Sequence, residues 1–563
     1  MDKHDQALTC LDEAIRVFQL SKEDVNKTLA EVYELKGDTF YKVNQNESAA
    51  SMFQECLNLF CSSDNDDECI ARLNHKLGRA LVKLGEFTEA FDSFHEAIRI
   101  YSDEIRKDDL SVGDVMYDLG LLIVNQGGPD ATEKALACFN EVVRIYVIRD
   151  NGRAAKVADA LVQKSPLLAD FDESISFLNE AIDIYQESLG EDAAEIGNAM
   201  IMYGNLYEAQ HLYDKAMAAF DEALRIFQIV FGEDDINLSI CLSKMGNLHA
   251  RKLEYSEALY KCKRALKIRV SRGEQEQDIA DSVFNIGNIL NDWGKADAAV
   301  EYFQQALKLF IHLLGEEDVS VAKCEAKLGA IYCDRKDFDR SLSSLLNALR
   351  IFEEAHKKDD EHNILVASLY QFIGDCYYNR GDYDKALENI VKCLQMQKME
   401  HGDDSIEMAA PCDFVGLIYQ KKERYDEAMH FHLKALHIHE KYLGKESKEC
   451  ASSDFHIAQC LFGSHHYEEC IARLRNHLGL FYDEYRNDEE VAKIYHPLGL
   501  AQYELGEFEE SIHSLNKVLN IRTKIHGECS LQVAAALLDI AKVRKESGDS
   551  DQVSKLNFTL IGT

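Results

Sequence analysis

The chain has 563 residues, 46% of them hydrophobic, with four prolines and a formal net charge of −37. That hydrophobic content excludes a disordered chain, and so few prolines suit a nearly all-helical one. Negative charge on this scale repels phosphate backbones and anionic lipid, so nucleic acid and membranes are poor partners and basic or zwitterionic protein segments better ones; the plainer reading is solubility of a large exposed surface.

No apolar run reaches the ~20 residues of a membrane span, and the polar start Met1-Asp2-Lys3-His4-Asp5 has no signal-peptide core. Sixteen cysteines include no C-x-x-C pair. Cys56, Cys262, Cys393 and Cys470 fall in columns that otherwise hold small or apolar residues. They read as small core residues of a reduced, cytoplasmic protein.

One helical stripe recurs along the chain. Its reference positions are Ala7, Ala49, Ala90, Ala135, Ser174, Ala216, Ala258, Ala299, Ser341, Ala386, Ala428, Cys470 and Ser511, spaced 39–45 residues apart and 42 on average. Small or apolar residues follow at +4, +7, +8 and +10, which is one face of a helix. A fixed period of this length is the signature of a solenoid. The expected fold is all-α: a right-handed superhelical solenoid of about 13 antiparallel helix pairs, in one domain over 1–563.

A second helix precedes each stripe, marked by Gly37, Gly78, Gly120, Gly204, Gly246, Gly287, Gly329, Gly374, Gly416 and Gly499. Glycine inside a helix costs ~1 kcal/mol relative to alanine. The expected compensation is close approach of the partner helix. Tight turns such as Asn379-Arg380-Gly381-Asp382-Tyr383 join the two helices, and loops such as Phe231-Gly232-Glu233-Asp234 lead to the next pair. Glycine stops one helix and acidic residues open the next. These acidic loops lack the alternating ligands of a calcium site.

Departures follow in chain order. The first stripe, at Ala7, has no preceding helix. The loop Asn125-Gln126-Gly127-Gly128-Pro129 displaces Gly120 from its usual spacing. Residues 147–170, with Asp150-Asn151-Gly152, Val162 in place of the glycine and Pro166, read as a joint, either hinge or rigid kink. From Arg251 to Arg272 eight basic residues face Glu254 and Glu257, a net +6. Lys263 and Lys267 share one helical face, and Lys261 and Arg264 another. This patch either docks an acidic partner, such as the acidic loops of a second copy, or is a solvated face. A charged linker runs from His356 through Lys357, Lys358, Asp359, Asp360 and Glu361 to His362. Pro497 should kink its helix, and the twelfth repeat, with Ala458, Cys470 and His477, is irregular. After Gly548, Val553 opens a second helix that Thr563 cuts off. Both end repeats are therefore incomplete, which favours a fragment of a longer protein over ends that meet a partner.

Gly-x-x-Tyr, Gly-x-Tyr/Phe-x-x-Ala and Ala-Leu-x-Ile together resemble tetratricopeptide repeats. The long period and the Leu-Gly-Glu-Asp linker at Leu189-Gly190-Glu191-Asp192 are similar to the kinesin light chain and nephrocystin-type subgroup. The coiled coil by which a kinesin light chain holds its heavy chain is missing. The resemblance implies a non-enzymatic scaffold or adaptor that binds extended protein segments in a concave groove. It also implies two alternatives: a structural or cargo-adaptor subunit of a kinesin-type motor or ciliary complex, or the regulatory arm of a larger signalling enzyme. The implied location is cytoplasmic, with cytoskeletal association open.

In the family the residue after the marker glycine faces the groove. Here that residue is Asn205, Asn247, Asn288 and, later, Asp375. Amides donate and accept, so stacked asparagines suit a peptide backbone in either direction. The competing reading has them bonded inside the helix pair. The carboxylate-clamp lysine one turn earlier is replaced by Ile201, Ser243 and Phe284, so chaperone tails are not expected. Lys244, Arg251, Lys323 and Lys327 could favour the acidic, tryptophan-containing cargo peptides of kinesin light chains, but Asp281, Asp292 and Asp334 oppose them.

No phosphate-binding loop, nucleophile elbow or His-Glu-x-x-His motif is present. An enzyme is not expected, nor a cofactor or metal. His430, His432, His437 and His439 lie two, five and seven residues apart, not the three or four that put two ligands on one helical turn. His432 falls in the +4 core column, the other three are expected at the surface, and His465-His466 is a turn. Homo-oligomerisation stays open.

Overall fold

The computed structural model describes residues 2–20, 26–60, 67–102, 109–128, 130–150, 155–273, 275–356, 363–481 and 489–547. Pro129, Asn151, Gly152, most of the 356–362 linker and the helix proposed from Val553 lie outside them. The described residues form twenty-six α-helices and no strand. Consecutive helices from Asp2–Leu20 to Tyr255–Arg272, and from Ala296–Leu314 to Leu531–Glu546, pack as the repeat requires, each first helix against its second and that against the next first helix.

The chain divides into two units, 1–289 and 290–563. The first opens on Asp2–Leu20, followed by six complete pairs from Asn26–Lys42 with Asn46–Phe60 to Ile236–Arg251 with Tyr255–Arg272. The second contains five complete pairs, from Val319–Asp334 with Phe338–His356 to Glu489–Glu504 with Phe508–His526, and the helix Leu531–Glu546. Pro497 lies within Glu489–Glu504, which continues past it.

The reference column is buried throughout these pairs. Where serine replaces alanine, its hydroxyl finds a backbone carbonyl. Ser341 donates to Gly329 O and Ser511 to Gly499 O, both at 2.7 Å. The marker glycines do make room, but for a side chain rather than a helix backbone. A Cβ on Gly204 would lie 2.4–2.7 Å from three ring atoms of Phe220. Gly37 faces Phe53, Gly78 Phe94, Gly329 Leu345 and Gly416 His432 in the same way. The +4 side chain thus sits over the glycine of its own pair.

In nine of the pairs the turn between the helices uses one left-handed residue. Gly85, Gly381 and Gly506 supply it at φ +82, +84 and +78. Asn44, His211, Leu253, Lys336, Glu423 and His465 occupy the same place with φ of +57 to +64. The backbone keeps its form because the next amide closes it: Leu212 N donates to Tyr207 O and Glu254 N to His249 O, both at 2.9 Å.

In the 147–170 stretch, residues 151–154 are outside the description. Ala155–Lys164 packs on both Ala131–Asp150 and Phe171–Leu189. Val157, Ala158 and Leu161 join the same core as Ile145 and Leu178. Ser165 and Ser174 exchange hydroxyl-to-carbonyl bonds at 3.1 and 2.9 Å across the proline turn.

An ion-pair ladder joins neighbouring repeats. A basic residue six before the reference position reaches the aspartate two before the preceding one. The rungs are Lys252–Asp214 at 2.9 Å, Arg335–Asp297 at 2.7 Å, Arg380–Asp339 at 2.9 Å and Lys422–Asp384. All four aspartates are exposed, so each rung contributes ~0–1 kcal/mol.

Candidate functional site

In the first unit, Asn205 lies on Ala194–Ala209, Asn247 on Ile236–Arg251 and Asn288 on the helix that begins at Glu276. All three are half-buried. Among the described residues Asn205 Nδ2 reaches only Met202 Sδ, at 4.0 Å. The Oδ1 atoms of Asn205 and Asn288 are buried with no hydrogen-bond partner among the described residues. A buried acceptor left unpaired costs ~1–3 kcal/mol. Lys244 is half-buried, and Arg251 pairs with Glu208 at 3.4 Å.

In the second unit, Lys327 is exposed on Val319–Asp334. Asp375 is half-buried on Asn363–Arg380, where burial first and the Asp334 charge second push its carboxyl up to about 6. Next to it, Cys376 Sγ lies 3.2 Å from Cys333 Sγ and 3.0 Å from Ser341 Oγ.

The basic patch is partly consumed within its own unit. Arg264 pairs with Glu233 at 3.0 Å, and Arg272 donates to Asp234 O at 2.7 Å. Arg269 is an internal tie, donating to Ser239 Oγ, Asp278 O and Ser282 Oγ at 3.2, 3.0 and 2.6 Å. Lys263 and Lys267 are exposed, and Lys261 is half-buried. One acidic loop of the same unit thus meets two of its arginines, through the Glu233 carboxylate and the Asp234 carbonyl.

The histidine reading needs one correction. His430 and His437 are exposed, as expected, but His439 is buried with His432. His439 Nδ1 is 3.2 Å from Ser453 Oγ, which donates to Asp413 Oδ2 at 2.7 Å. Asp413 Oδ1 lies 2.7 Å from His432 Nδ1. The His456 ring centroid is 5.0 Å from that of His432. Asp413, His432 and His456 each offer a ligand atom, and these atoms lie within 4.8 Å of one another. The sequence signal was a histidine in a column that holds Phe53, Phe94, Phe220 and Phe303 elsewhere. Spacing along one helix could not reveal the cluster, because its members come from three helices.

No helix among the described residues is long and apolar enough to cross a membrane. Paired helices sharing one repeating core define a helical repeat protein. The chain belongs to the tetratricopeptide-repeat family: the family's models match residues 167–229, 201–271, 278–354 and 319–398, 413–448, and 71–104 and 492–524. It is 22% identical over 367 residues to the Arabidopsis thaliana protein KINESIN LIGHT CHAIN-RELATED 3, covering 64% of this chain and 49% of that one. The chain thus spans about half the length of that relative. Among solved structures, BtubC (BKLC) from P. vanneervenii is 20% identical with a TM-score of 0.37, covering 41% of this chain and 92% of that one. A kinesin light chain-type protein of Podosopora anserina with nearly identical repeats is 14% identical with a TM-score of 0.33, covering 38% and 99%.

Proposed function

We propose that the chain is a non-enzymatic scaffold that binds extended protein segments along its first helices, first at Asn205, Asn247 and Asn288. The observation that carries this reading is the pair of unpartnered buried acceptors, Asn205 Oδ1 and Asn288 Oδ1, at equivalent positions of two repeats. Had these amides served only to hold the helix pair, their oxygens would be bonded within it. Donors from a bound backbone would relieve the cost. Affinity rises as modest contacts add over successive repeats.

The test is affinity capture with mass spectrometry, comparing the chain with Asn205→Ala/Asn247→Ala/Asn288→Ala after circular dichroism confirms equal helicity. Partners lost in the triple variant support binding at these helices. Partners retained unchanged defeat it.

The kinesin light chain-related relative favours a second reading, a subunit of a motor-type assembly. On that reading substitutions at exposed Lys263 and Lys267, rather than at the asparagines, disrupt assembly.

A further inference from the structure

In the +4 column an apolar side chain normally fills the space over the marker glycine. His432 replaces it, fully buried. Its ring edge occupies the space that a Cβ on Gly416 would take, 2.5 Å from Cε1 and Nε2 and 2.7 Å from Nδ1. Burying a polar ring in an apolar column costs energy unless its nitrogens are used. Asp413 uses one: its carboxylate accepts from Nδ1–H. Among the described residues His432 Nε2 has no hydrogen-bond partner, and neither has the buried His456 Nδ1.

We propose that Asp413, His432 and His456 form a partly buried binding site for a divalent cation of the zinc type. Two imidazoles and one carboxylate suit a borderline first-row cation; calcium and magnesium call for more oxygen ligands. Ser453 orients the carboxylate from behind, and His439 holds Ser453. Such outer partners ordinarily tune metal affinity. Bonds of ~2.0–2.2 Å place tetrahedral ligand atoms ~3.4 Å apart, so a cation draws the three groups together. They stand on Ala409–Lys421, Tyr425–Leu443 and Lys448–Gly463. The cation would therefore clamp one repeat to the next and leave a fourth position for water.

The test uses the full chain, stripped with chelator and titrated with Co²⁺ and then Zn²⁺. The expected result is one tetrahedral Co²⁺ per chain by visible absorption, displaced by Zn²⁺, and a raised thermal midpoint with Zn²⁺. His432→Phe, which restores the side chain of the Phe220 and Phe303 repeats, abolishes the absorption. His456→Gln weakens binding at least about 100-fold, and Ser453→Ala by about 10–100-fold. The surface control His430→Ala/His437→Ala binds as the parent does. If His432→Phe misfolds, His456→Gln decides alone. Absence of stoichiometric binding, or binding lost in the surface control and kept in His456→Gln, overturns the proposal.

Discussion

Replacing Gly204 with alanine tests the packing rule of the whole repeat. The new Cβ would lie 2.4, 2.5 and 2.7 Å from Cε1, Cζ and Cδ1 of Phe220. Carbon atoms prefer ~3.5–4.0 Å, so the ring must retreat by about 1 Å. Phe220 is fully buried against Ala216, Met245 and Leu248 and has little room to do so. Overpacking of this kind costs about 1–3 kcal/mol. Against it stands a gain of about 1 kcal/mol, because alanine is the better helix former. The net effect in the native chain is a loss of up to about 2 kcal/mol. With Phe220→Ala already present the collision is gone, and Gly204→Ala should instead stabilise by about 1 kcal/mol. The sign therefore reverses between backgrounds. Urea denaturation measures both legs, with amide exchange across residues 194–231 reporting local opening. Equal effects in the two backgrounds, within about 0.5 kcal/mol, would refute the glycine–aromatic rule.

The other predictions concern charge and strain. Because burial raises the Asp375 carboxyl from 3.8 to about 6, the folded state holds its proton longer than the unfolded state does. Its penalty is absent below pH ~4, grows through pH 4–6 and is complete above. Asp375→Asn should therefore raise stability on the order of 1–3 kcal/mol at pH 8, after allowance for solvent screening, and leave it unchanged near pH 3.5 in paired thermal melts. Leu253 sits at φ +63 with an exposed side chain, so Leu253→Gly should gain about 1 kcal/mol in urea midpoints by removing strain; a loss would contradict this. Arg269→Ala should cost about 1–3 kcal/mol by orphaning its partners, whereas exposed Lys267→Ala should stay within about 0.5 kcal/mol. Matching effects in denaturant titrations would show that the basic patch has no internal member.

The period of 42 made the helices and their pairing legible, because a buried stripe must recur wherever a helix pair recurs. The glycine column named a close contact within each pair, although the intruding group proved to be the +4 side chain. The turn was less legible: Leu253 and Lys336 carry no sign of a left-handed backbone, which the closing amide bonds impose. Arg264 and Arg272 looked like a free patch because Glu233 and Asp234 lie 31–38 residues upstream. Only the packing of helices brings them together. The same holds for Asp413 and His456, which flank His432 at distances no single-helix rule spans. The asparagine column was visible, but its unpaired oxygens were not.

The ladder linking Lys252 to Asp214 and Arg380 to Asp339 bears on how such a chain can lengthen. The repeats at Ser341 and Ala386 each bring one basic group for the neighbour behind and one aspartate for the neighbour ahead. A duplicated unit would arrive with both halves of its joint already compatible, and an excised one would leave matching ends. Growth by tandem copying therefore meets no electrostatic obstacle along this edge, however weak each rung is. The Asp413–His432–His456 cluster obeys the opposite logic. It is divided between two unlike repeats, so a copy inserted between them would separate its parts. The chain thus combines interchangeable joints with one that fixes which two repeats must remain adjacent.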